Sequence, residues 1–82
     1  MNQAIQFPDC ESWDAAQQAV IFPVLVNGMG LTCAITLERL RSRYGAGEAM
    51  ALFTAHRWDL EDEAEQLIRE EEVSDQGWVW LS

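Results

Sequence analysis

Apolar positions change period twice along the chain, and each change marks a change of element. In residues 3–7 (QAIQF), Ile5 and Phe7 alternate with polar neighbours, and Pro8-Asp9 then stops the run. This predicts a first strand. Residues 8–18 (PDCESWDAAQQ) read as a polar connection carrying one tryptophan. Residues 19–26 (AVIFPVLV) are the most β-prone stretch, and Asn27-Gly28 follows directly. That dipeptide suits a type I′ turn, whose two central residues need positive φ. With 27–28 as the loop, Val26 opposes Met29, Val24 opposes Leu31, Phe22 opposes Cys33 and Val20 opposes Ile35, all on one sheet face. The other face then carries Ile21, Pro23 and Leu25. Pro23 cannot donate to a ladder, so its nitrogen is expected to point outward or to sit at a bulge.

Beyond Ile35 the spacing becomes helical. Thr36 suits an N-cap, Leu37, Leu40 and Tyr44 recur at helical intervals, and Gly45 ends the run. A second helix is expected over Glu48–His56, with Ala49, Leu52, Phe53 and His56 along one side. Asp59 is placed to cap a third, with Asp62 at the capping-box position and Leu60, Ala64, Leu67 and Ile68 as its stripe. One continuous helix over 48–72 fits the pattern equally well. Residues 74–77 (SDQG) form a turn, and 78–81 (WVWL) a closing strand with Trp78 and Trp80 on one face. The expected fold is α+β, in the order β-β-β-α-α-(α)-β. About four antiparallel strands carry two or three helices on one face. The expected core is Ile5, Phe7, Val20, Phe22, Val24, Leu31, Cys33, Ile35, Leu40, Leu52, Phe53, Leu67 and Ile68. Helices can cover only one sheet face, so Ile21 and Leu25 need another cover; a neighbouring subunit is one candidate, and the Trp13 connection folding back is the expected one.

Composition narrows the functional classes. The 82 residues are expected to form one domain, and 49% hydrophobic content with four tryptophans supplies one core. Fourteen carboxylates oppose five arginines and no lysine, for a net charge of −9. Nucleic-acid binding needs cations to displace condensed counterions, so direct binding is disfavoured, as is an anionic membrane. No secretory signal or membrane-length apolar run is read, and a cytoplasmic monomer with reduced thiols is expected. Cys10 and Cys33 are read as packing residues.

No catalytic, cofactor or metal constellation emerges. His56 is the only histidine, the cysteines lack metal-ligand spacing, and the glycines form no phosphate loop. Two clusters stand out as candidate binding features. Arg39, Arg41 and Arg43 form a basic stretch, with Arg39 and Arg43 on one helical face, and the junction His56-Arg57-Trp58-Asp59 collects polar side chains. Arg39, Arg43, His56, Arg57 and Trp58 are therefore candidates for a small-anion or partner site, against intramolecular pairing with the acidic helix. Residues 59–75 hold nine carboxylates against Arg69 alone, which makes Glu61, Glu65 and Glu72 a candidate face for a basic protein partner. The plain alternative is a solvated helix face.

The segments QFPD (6–9), FP (22–23) with LVNGM (25–29), LTCAI (31–35), HRWDLEDEAE (56–65) and DQGWVWL (75–81) together resemble the YrdB-like bacterial proteins, a domain-of-unknown-function family. The resemblance spans nearly the whole chain and is least distinctive over 36–55. It implies an antiparallel sheet packed by helices. It also implies a gene often beside that of shikimate dehydrogenase, and a label of transcriptional regulator of the shikimate pathway that rests on gene neighbourhood alone. No site residue follows from it. Cys10 stands where the family suggests a polar or charged residue, which argues further against a disulfide. The leading expectation is a non-catalytic interaction or regulatory module, with a small-molecule-sensing regulator as the alternative and a DNA-binding regulator as the one that charge disfavours.

Overall fold

The computed structural model describes residues 4–82. Residue 3 of the first expected strand lies outside them. Eight elements follow in order: β1 (Ile5–Gln6), β2 (Ser12–Asp14), β3 (Ala19–Val26), β4 (Met29–Thr36), α1 (Leu37–Tyr44), α2 (Ala49–Ala55), α3 (Arg57–Arg69) and β5 (Trp78–Trp80). The strands form one sheet in the order β1-β3-β4-β5, with β2 also pairing β3.

The β3–β4 hairpin has the register its sequence specifies. Val26 pairs with Met29, Val24 with Leu31, Phe22 with Cys33 and Val20 with Ile35. Asn27 (φ 54°) and Gly28 (φ 83°) both occupy the left-handed region that a type I′ turn demands. Asn27 does a second job: its Oδ1 accepts from the Ala4 N–H at 3.0 Å, and its own N–H donates to the Ala4 carbonyl at 2.8 Å. The tip of the hairpin thereby holds the start of β1.

Two features of the sheet differ from expectation. First, the sheet is mixed, because β5 lies parallel to β4, pairing Thr32 with Trp78 and Ala34 with Trp80. Parallel neighbours need a crossover of a dozen or more residues. The three helices between β4 and β5 supply it. Second, the connection 8–18 is not all loop, since Ser12–Asp14 pairs with Ala19–Ile21. β1 and β2 run along the same edge of β3, but their registers differ by two residues across the segment 7–11. Pro8 lies in that break. Opposite it stands Pro23, whose nitrogen, by the alternation of hydrogen-bonded pairs from the turn, points away from β4 and toward the interrupted edge. Each proline sits where no ladder bond is required of it.

The helices cover one face, with α1 against β4, α2 against β3 and α3 against β5. Phe22 and Phe53 meet at the centre with ring centroids 4.9 Å apart. Val20, Phe22, Val24, Cys33, Ile35, Leu40, Phe53 and Ile68 are buried, as the pattern indicates; Ile5, Phe7, Leu31, Leu52 and Leu67 pack around them with partial exposure. Leu60, Ala64, Val79 and Leu81 complete the core. Burial holds the Cys33 thiol at a pKa of about 12, so it is an inert packing group. Cys10 is exposed, contrary to the packing role expected of it, because it falls in the break between β1 and β2.

The 48–72 region is two helices rather than one. His56 (φ −119°, ψ 22°) departs from helical geometry between α2 and α3. α3 therefore starts at Arg57, and Asp59 lies in its first turn instead of capping it. α3 ends in a Schellman arrangement: the Glu72 N–H donates to the Leu67 carbonyl at 2.9 Å and the Glu71 N–H to that of Ile68 at 3.0 Å. Glu71 takes the left-handed position at φ 61°.

Trp13 does not fold back over Ile21 and Leu25. It pairs with Val20 and so projects on the helix side of the sheet, a consequence of the period-two pleat of β2. On the outer face, Ala34 is flanked by its partners Ile21 and Trp80 and is fully buried. Trp78 and Trp80 stack beside it with centroids 5.4 Å apart. Ile21, Pro23 and Leu25 keep partial exposure.

Candidate functional site

The α2–α3 junction brings His56, Arg57, Trp58 and Asp59 together between the end of one helix and the first turn of the next. His56 terminates α2 with its N–H donating to the Leu52 and Phe53 carbonyls, and the change of direction there aims three consecutive side chains apart. The His56 ring lies flat on Tyr44, with centroids 3.6 Å apart and planes 5° from parallel. This contact fastens the junction to the end of α1. Arg57 turns toward the sheet edge, and Trp58 turns to solvent, 80% exposed. A depression of about 480 Å³ is lined by Thr54, Ala55, His56, Arg57, Trp58 and Asp59.

Arg57 is the hub of an ion-pair cluster. Its guanidinium donates to Glu11 through both terminal nitrogens, with the Nη1–Oε1 bond at 2.8 Å, and lies 3.4 Å from Asp9 and 3.8 Å from Glu61. It also sits 5.2 Å from the centroid of Phe53. The fork-to-fork geometry holds the Glu11 carboxyl below the ordinary carboxylate range. Glu61 moves the other way, raised by burial and by the neighbouring Asp9, Glu11 and Asp62, with Arg57 opposing the shift. The cluster clamps the break between β1 and β2 onto α3. It is an intramolecular use of the arginine, and the charges around it are predominantly negative.

The other candidate residues are dispersed. Arg43 donates to Glu63 at 2.6 Å and to the Ser82 backbone, joining α1 to α3 and the chain beyond β5. Arg39 is exposed on α1. The five residues singled out for an anion or partner site thus do not converge: His56, Arg57 and Trp58 share one depression, Arg43 is paired elsewhere, and Arg39 stands apart. Of the acidic candidates, Glu61 is tied to Arg57, Glu65 pairs with Arg69 at 3.2 Å, and Glu72 is exposed past the end of α3. Among the described residues, no group of three or more His, Cys, Asp and Glu side chains is arranged to hold a metal ion. Among the described residues no helix is long and apolar enough to cross a membrane.

The partners Asp9, Glu11 and Tyr44 were not legible as site residues. They lie 46 to 48 residues from Arg57, or 12 from His56, in segments read as a connection and a helix end. A second concavity was also missed. Trp13, Leu37, Arg41, Glu48, Ala49 and Met50 line a notch of about 370 Å³ between β2, α1 and α2.

The chain is similar to known proteins over nearly all of its length. The chain is 58% identical to "Uncharacterized protein YrdB" of Escherichia coli (strain K12) and 57% identical to the protein of that name in Shigella flexneri, covering 99% of each chain. It superposes with a TM-score of 0.88 on the crystal structure of a protein of unknown function from Shewanella loihica PV-4, at 31% identity. The match covers 99% of this chain and 94% of that one. The family model described as "Protein of unknown function (DUF1488)" matches residues 5–81, and the chain belongs to that family.

Proposed function

We propose that this chain is a non-catalytic interaction module that docks a basic protein partner along the exposed side of α3, with Trp58 as the anchor. The observation that carries the reading is the 80% exposure of Trp58 at the head of an acidic helix. An indole left in water forgoes the burial free energy that its large surface offers, and tryptophan is prominent among residues that dominate interface energetics. Asp62, Glu65 and Arg69 follow Trp58 at helical spacing, and Asp59 and Gln66 flank them. A lysine or arginine of the partner can place its cation over the indole face within reach of Asp62, one turn further along the helix. Net charge supports the same partner chemistry, and any influence on transcription would run through such a protein rather than through phosphate contacts.

The test is affinity capture from the native cell extract with the wild-type chain and with Trp58→Ala. Trp58 is largely free of the core, so the variant is expected to melt with the wild type. A basic protein should be retained by the wild type, released as salt rises, and lost from the variant. Equal retention by both chains, or capture indifferent to salt, would overturn the reading.

A further inference from the structure

We propose that the notch between β2, α1 and α2 binds a small monocarboxylate with an apolar body, its carboxylate on Arg41 and its body against Trp13. The notch, of about 370 Å³, falls in the size range of small-ligand sites, roughly 300–1,000 Å³. Trp13, Leu37, Ala49 and Met50 form its apolar walls. Trp13 is 38% exposed and offers an aromatic wall, and the unbranched thioether of Met50 can adapt to what it meets.

Arg41 gives the notch its selectivity. Its Nε donates to the Gly47 carbonyl at 3.1 Å, which fixes the guanidinium over the α1–α2 turn and leaves the two terminal nitrogens for another acceptor. Fourteen carboxylates surround five arginines in this chain, and Arg43, Arg57 and Arg69 each hold at least one. Among the described residues, no carboxylate lies within ion-pairing distance of Arg41. Arg39 shares that condition, but Arg41 is the one that lines the notch. A planar fork beside an aromatic wall matches a carboxylate attached to an apolar group. Glu48 also lines the notch and opposes any anion there, so Arg41 can offset one ligand carboxylate and a second is left unpaired against Glu48, which disfavours a dianion relative to a monoanion. Arg41 and Leu37 continue into a neighbouring depression with Gln18, Thr36 and Glu38, where a longer apolar body would extend.

This site shares no residue with the α3 stripe, and either reading can fail without the other. The experiment is a titration of the ¹⁵N-labelled full chain with 3-phenylpropanoate, its neutral amide 3-phenylpropanamide, and the dianion phenylsuccinate. The Trp13 indole signal is assigned from a Trp13→Phe variant. The acid should shift that indole and the backbone amides of residues 37–50 saturably, with a Kd of about 10⁻⁴–10⁻³ M, as expected for a ligand of this size. The amide and the dianion should bind at least about tenfold more weakly, a difference of about 1.4 kcal/mol. Arg41→Gln should lose the acid by a similar factor while remaining folded, with its amide spectrum unchanged outside residues 37–50, and Trp58→Ala should bind it as the wild type does. Equal binding of acid and amide, shifts centred elsewhere, undiminished binding by Arg41→Gln, or no saturable shift up to about 10⁻² M would each overturn the proposal.

Discussion

The guanidinium of Arg57 grips the carboxylate of Glu11 across 46 residues of sequence, and both side chains are four-fifths or more shielded from solvent. This pair is what holds the interrupted edge strand to the helical layer. Charge-assisted, two-point hydrogen bonds of this kind contribute more than exposed ion pairs do, about 1.5–3 kcal/mol in typical cases.

Glu11→Gln should therefore destabilise the chain by roughly 1–3 kcal/mol at pH 7, and the deficit should vanish on acidification. The sign follows from the direction of the shift. Glu11 has a lowered folded-state pKa, so its contribution is complete above the unfolded carboxylate pKa of about 4.3 and is lost as pH falls through the folded value. Glu61 behaves oppositely: with its folded pKa raised, ionisation at neutral pH costs stability, and Glu61→Gln should lose little or none. Denaturant melts of both variants between pH 3 and pH 7 check the pair of outcomes. A Glu11→Gln deficit that persists at the acid end would show that packing, not charge, is what the residue supplies.

Phe22→Ala should cost about 3–5 kcal/mol, since the ring is buried between Phe7 and Phe53 and its removal leaves a cavity in the centre of the core. That is a large share of the stability of a domain this small. A urea melt measures it, and a loss below about 1.5 kcal/mol would indicate a core that repacks freely.

Glu71→Gly should raise stability by roughly 0.5–1 kcal/mol. Glu71 occupies the left-handed position of the α3 C-cap, where glycine carries no Cβ penalty. The substitution also removes one of three consecutive carboxylates from the negative end of the helix. Glu71→Ala serves as the control: it removes the charge but keeps the Cβ, and should gain less in the same thermal melt.

Local chemistry made the hairpin, the helices and most of the core legible in the sequence. Asn27-Gly28 admits one register that puts Val20, Phe22, Val24, Leu31, Cys33 and Ile35 on one face, and the pleat leaves no freedom after that. Thr36 and Gly45 bracket α1 through bonds within a few residues of themselves. Tertiary structure decided whatever depended on pairing between distant segments. β2 is three residues long and polar in part, and only the free edge of β3 makes it a strand. The direction of β5 was set by the helical crossover that delivers it, because its three apolar residues carry no local signal for either sense. The fates of the arginines were settled by distance as well. Arg43 and Arg57 met carboxylates that only folding brings near, whereas Arg41, two residues and so about 200° of helical rotation from Arg43, faces the notch with Trp13. Sequence supplied the charges; the packing of the helices on the sheet chose which of them were neutralised and which were left facing solvent.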